Sequence, residues 1–167
     1  VRITPVTLLI PVQAGIEPDH CFWISNWAAV SGKSRIDLAT DPPPDVAVEV
    51  DVTNFTNIAD YIPFEIPEVW LIRGESLAIF VLASKGYKQA ESSQFFPEVD
   101  VTNLYQRVMT AVANGASPPR AIRSVIRLQS NPSTTCFIGS YLFCEKANLL
   151  IAFSSDINDS RSDYWLL

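Results

Sequence analysis

The sequence predicts an α/β chain of the α+β kind, and three observations carry that expectation. Strand-like text dominates the first hundred residues, the segment Asp45–Val52 alternates with a period of two, and from Val101 to Gln129 the apolar period becomes helical. A compact chain of 167 residues buries about 70% of the surface its unfolded form exposes, enough for a core without disulfides or metal. With 12 Lys and Arg against 18 Asp and Glu, the formal charge is −6, and 48% of residues are hydrophobic. General disorder and a wholly basic nucleic-acid wrapper are both excluded.

Residues 1–13 alternate loosely around two prolines and read as a strand and its approach. GIEPD reads as a turn, and the aromatic HCFWISNWAAV as a strand. GKSRIDLATDPPP is polar and punctuated, a hairpin-like connection. In DVAVEVDV, Val46, Val48, Val50 and Val52 occupy one face, while Asp45, Ala47, Glu49 and Asp51 occupy the other, giving a strand with a dry side and an acidic side. TNFTNIADYIPFEIPEV reads as a short helix opened by a Thr or Asn cap and closed before Pro67. VWLIRGESLAIFVL is a hairpin, and Tyr87 and Lys88 belong to a final strand. Two helical segments follow, the second placing Arg120, Arg123 and Arg127 on one face. The domain is expected to span 1–130, with 131–167 a divergent C-terminal tail.

Several function classes fall away early. No apolar run reaches membrane-spanning length, so no membrane partner is expected, and the opening residues lack the regions of a signal peptide. Cys21, Cys136 and Cys144 form no CxxC, and a single histidine, His20, removes a two-His metal site. A cytoplasmic protein is the expectation.

The acidic face of Asp45–Val52 needs an explanation, because like charges repel unless solvated, paired or bound to metal. One explanation is a solvent-facing edge strand, where charges discourage edge-to-edge pairing. The other is a hard-metal site: Mg²⁺ takes oxygen ligands and needs only one or two carboxylates beside water and phosphate. Glu49 and Asp51 lie about 6.6 Å apart along a strand, workable through water. A closer partner for Glu49 would face it from an adjacent antiparallel strand, at about 5 Å. Pro18-Asp19, at the head of the preceding strand, can supply it.

Pro-Asp, one connection, then a glutamate within a strand resembles the PD-(D/E)xK nuclease superfamily. Within it, "GIEPDHCFWI", "AAVSGKSRIDLATDPPPDVAVEVDVTN" and "IADYIPFEIPEVWLIRGESLAIFVL" are most similar to the restriction endonuclease family often called Uma-two (domain of unknown function 820), over roughly residues 5 to 130. The resemblance implies a restriction-endonuclease-like mixed central sheet flanked by helices, and Mg²⁺- or Mn²⁺-dependent cleavage of DNA. It also implies a metal held by Asp19 and Glu49; Asp51, whose spacing from Glu49 allows a contact through water, is a third catalytic candidate from the residues themselves. DNA is the implied partner; the oligomeric state stays open, a homodimer being one option.

Two departures bear on activity. Asp51 stands where the superfamily's lysine would be. In much of the family a basic residue instead precedes the tyrosine by a turn, and counting back from Tyr61 that slot is Asn57. Lys33 and Arg35 are the nearby cations. The superfamily's usual opening helix, with its further acid, also has no counterpart, which suggests a chain truncated at its N-terminus. A catalytically inactive relic or binding module with the same sheet is therefore the alternative, and a purely structural β-rich interaction protein a third. A structural role is expected for His20, core or rim packing for Trp23, Trp27 and Trp70, a local cap or pair for Glu68 and a solvated helix face for the arginine stripe, whereas stacking on bases is the other use open to the tryptophans, Trp165 among them.

Overall fold

The computed structural model describes residues 2–4, 8–10, 14–33 and 36–129. Strands β1 (Arg2–Thr4), β4 (His20–Trp23), β5 (Val46–Val50), β6 (Glu68–Arg73), β7 (Ser76–Ala83) and β8 (Gly86–Ala90) form one six-stranded sheet in the order β1-β4-β5-β6-β7-β8. Strands β2 (Leu8–Ile10) and β3 (Ala14–Ile16) pair separately. The sheet is mixed: β5 and β6 run parallel, and the other neighbours run antiparallel. With helices α1 (Trp27–Val30), α2 (Val101–Ala113) and α3 (Pro118–Gln129) and a 3-10 helix over Ile58–Phe64, the class is α+β, as expected. The chain forms two compact units, one reaching Asn103 and one beginning at Leu104.

The parallel β5–β6 step organises the first unit. Parallel neighbours need a crossover of a dozen residues or more, and the 3-10 helix lies within it. Asn57 caps that helix, its side-chain oxygen accepting from Ala59 N at 3.2 Å. At the other end Glu65 takes a left-handed conformation, φ 52°, with its N–H on Ile62 O at 3.2 Å. Tyr61 and Phe64 of the helix pack into one core with Cys21, Trp23, Ala47, Val69 and Leu71 from the sheet. The opposite face buries Phe22, Val46, Val48, Trp70, Ile72 and Ile79.

Two turns depend on glycine. Gly74 opens the β6–β7 hairpin at φ 57°, a conformation costly for residues with a Cβ. Gly86, at φ 109°, begins β8, and a Cβ there would stand 3.3 Å from Ile62 Cδ1. The 3-10 helix thus packs directly over the β7–β8 turn.

The helices obey their own spacing. Asp100 caps α2 by accepting from Asn103 N at 3.0 Å, and Val101, Leu104, Tyr105 and Val108 form its buried stripe. In α3, Ala121, Ile122 and Val125 are buried while Arg120 and Arg123 are exposed, so those two arginines lie on a solvated face.

The expected outline needs four corrections. Gly15 and Ile16 belong to β3, paired with β2, and not to a turn. The strand expected through Val30 stops at Trp23, because the Asp45 carboxylate captures the following bend, accepting from Ile24 N at 2.5 Å and Ser25 N at 2.8 Å. Trp27 then falls in α1 and not in a strand, and at 54% exposure it lies outside the core. Finally, β5 is interior, between β4 and β6, so the solvent-facing edge reading fails. Its supposed acidic side carries Ala47 into the core, and Asp45 and Asp51 are themselves buried, whereas Val52 is 73% exposed. Cys136, Cys144, Trp165, Arg35 and the expected tail at 131–167 lie outside the described residues. No helix among the described residues is long and apolar enough to cross a membrane.

Candidate active site

The β4–β5 register pairs His20 with Val48 and Cys21 with Ala47, so one step further Asp19 faces Glu49. Antiparallel partners stand about 5 Å apart, which puts both acids on the same side of the sheet as Tyr61. Asp19 sits just before β4, where the main-chain ladder ends. Its carboxylate extends that ladder, Oδ2 accepting from Val50 N at 2.7 Å. Tyr61, buried, donates its hydroxyl to Glu49 Oε1.

The electrostatics at Glu49 are opposed. Burial is the largest influence and disfavours its charge; the Tyr61 hydroxyl favours the charge, and the Asp19 carboxyl again disfavours it. The outcome is a Glu49 carboxyl raised from 4.5 to about 7. The neighbouring groups feel the same negative charge. Cys21, buried on the same face, is pushed up to about 12 by burial and then by Glu49. Tyr61 is raised well above its ordinary range by burial first and then by its bond to Glu49. Asp19 is exposed, so the pair opens to solvent on one side.

Asp51 is placed differently. Its carboxylate is spent on Thr56 and Arg73: Oδ1 accepts from Thr56 N at 3.1 Å and Thr56 Oγ1 at 2.6 Å, and Oδ2 accepts from Arg73 Nε at 2.7 Å. Burial opposes its charge, yet Thr56 and Arg73 prevail and hold its pKa below the usual carboxylate value. Asn57, in the slot where the resembling family carries a base, is the helix cap. Lys33 forms an ion pair with Asp41. Among the described residues, the groups that perturb Glu49 are Tyr61 and Asp19, with no cation among them.

Two acids and no third is the metal-ligating inventory here; no group of three or more His, Cys, Asp or Glu side chains converges among the described residues. The donor chemistry nonetheless fits a hard divalent cation. Both side chains offer oxygens, they face each other, and a like-charged, half-buried pair is relieved either by a proton or by a cation.

Glu68, expected to cap or pair locally, has one local partner and one distant one. Fully buried, it accepts from Trp70 Nε1 at 2.5 Å and from Gln94 N at 2.9 Å. Sequence reasoning gave no role to the Tyr61–Glu49 bond or to Arg73. The residue count between Glu49 and Tyr61 could not supply the first, because a 3-10 helix turns each side chain differently from an α-helix. The second was available in principle: the parallel β5–β6 register pairs Val50 with Ile72, so Asp51 meets Arg73.

Comparison with known proteins agrees with this architecture. No curated protein matches the chain. The family model described as "Uma2: Putative restriction endonuclease" matches residues 1–113, a span that holds both facing acids, Tyr61 and the whole sheet. The chain belongs to the Uma2 family.

Proposed function

We propose that this chain is a metal-dependent endonuclease that hydrolyses DNA phosphodiester bonds, with Asp19 and Glu49 holding one Mg²⁺ or Mn²⁺. The observation that carries the proposal is the placement of these two carboxyls opposite one another, half open to solvent, with Glu49 raised to about 7. When bound, such an ion supplies Lewis-acid stabilisation of the charge developing on phosphate oxygens and eases ionisation of a water. The chain's own residues prepare the site. Val50 N–H orients Asp19, and the Tyr61 hydroxyl fixes Glu49 Oε1. Partners that orient a ligand in this way also sharpen its affinity.

A second reading, a nuclease fold that binds without cutting, has a specific observation in its favour. The position of the superfamily's lysine is an aspartate held by Thr56 and Arg73, and position 57 is a cap. Plasmid nicking separates the two. Supercoiled DNA is titrated with Mg²⁺ or Mn²⁺ against wild type, Glu49→Gln and Asp19→Asn. The enzyme reading expects metal-dependent nicking by wild type that falls to background in both variants. Wild-type nicking that is absent, or that survives in Glu49→Gln, rejects it.

A further inference from the structure

Beyond Glu49 the chain leaves β5 through a loop, Val52–Asn57, that Asp51 closes. The Asp51 N–H donates to Ile72 O at 2.8 Å, its carboxylate takes Thr56 and Arg73, and Arg73 Nη2 donates to Thr56 O at 3.3 Å. Both ends of the loop are therefore tied to the sheet. Next to the anchored Thr56, Phe55 is 76% exposed. The Arg73 guanidinium carbon lies 4.9 Å from the centre of the Phe55 ring, which backs one side with a planar cation. Left to folding alone, a phenylalanine gains by burial. Here an anchored loop instead presents the ring to solvent.

The loop's position gives the ring a use. Glu49 and Asp51 are about 6.6 Å apart along the strand, and the contacts through Thr56 and Arg73 bring Phe55 back beside Asp51. The ring therefore lies beside the Asp51 end of the strand that carries Glu49. We propose that Phe55, backed by Arg73, is a stacking platform for an unpaired nucleobase of a strand that runs across Asp19 and Glu49. The inference rests on the nuclease reading of that pair. Every base has a π-face, so such a platform tolerates any sequence. Those faces are hidden in a stacked duplex, so the platform selects single-stranded or locally opened nucleic acid. Asp51 is then a positioning residue that acts through the loop.

The test is binding of a fluorescein-labelled oligothymidine by the full chain, followed by anisotropy in EDTA so that no cleavage intervenes, with the matching duplex alongside. Phe55→Ala is expected to weaken oligothymidine binding by about 5- to 150-fold and to leave duplex binding unchanged, with the melting temperature lowered by no more than a few degrees because only the exposed contact with Arg73 is lost. Phe55→Trp is expected to restore the affinity. Wild-type binding that Phe55→Ala does not weaken, or no binding at all, overturns the platform. Nicking that is absent while the Phe55 effect persists overturns the nuclease reading alone; nicking that persists with no Phe55 effect overturns the platform alone.

Discussion

At position 49 burial and Asp19 both favour a neutral carboxyl, while the Tyr61 hydroxyl favours the charged one. Tyr61 therefore has two jobs, filling the core under β5 and aiming Glu49. Tyr61→Phe separates them, since it keeps the ring and removes the donor. We expect the fold to persist at a cost of about 0.5–1.5 kcal/mol for the lost hydrogen bond, with the affinity for Mn²⁺ lowered about 10- to 100-fold, as for other groups that orient metal ligands. Calorimetric titration with Mn²⁺ measures it, and an unchanged affinity would show that the hydroxyl does not position Glu49. From the residues alone Asp19 could face Glu49 across an antiparallel pair, and the family resemblance singled these two out; alternation fixes the face of each side chain, while the register that sets them opposite one another comes from the β4–β5 pairing itself. The tyrosine's bond was not legible, because it depends on the phase of a short helix in the crossover.

Among the elements, those whose signal is local were legible: the capped turn before Tyr61, the β6–β7 hairpin at Gly74, and the two helices with their apolar stripes. Those decided by distant partners were not. The end of β4 is set by Asp45, more than 20 residues along the chain, and the interior place of β5 is set by its parallel pairing with β6. The loop after β5 is of this second kind, held by Asp51, Thr56 and Arg73. Asp51→Ala strips the hydrogen bonds from Thr56 and Arg73, and we expect a loss of about 1–2 kcal/mol in urea denaturation. Arg73→Ala should cost less, and the double variant less than the sum of the two single ones, because the three side chains act as one network. Full additivity would mean that the loop is not held by this network.

The whole molecule's stability should record the same charges. Asp41 is held low by the Asp37 main chain and by Lys33, and Asp51 is lowered by Thr56 and Arg73 against burial. Their contributions are present above the ordinary carboxylate range and are lost in acid. Glu49 has the opposite sign. Its folded carboxyl binds a proton more tightly than the unfolded one, so stability falls as pH rises from 4.5 to about 7. After allowance for its partial exposure the loss is about 1–2 kcal/mol, roughly 2–6 °C in melting temperature. A divalent cation that binds the ionised pair should reverse the loss, adding about 2.7 kcal/mol at a concentration one hundred times its Kd. The direct measurement is the melting temperature of wild type and Glu49→Gln from pH 5 to 8, with and without Mn²⁺. A shared cation site predicts that wild type alone loses stability toward pH 8 and that Mn²⁺ restores it there, with little effect on Glu49→Gln. Equal Mn²⁺ responses in the two proteins, or none in wild type, would contradict it.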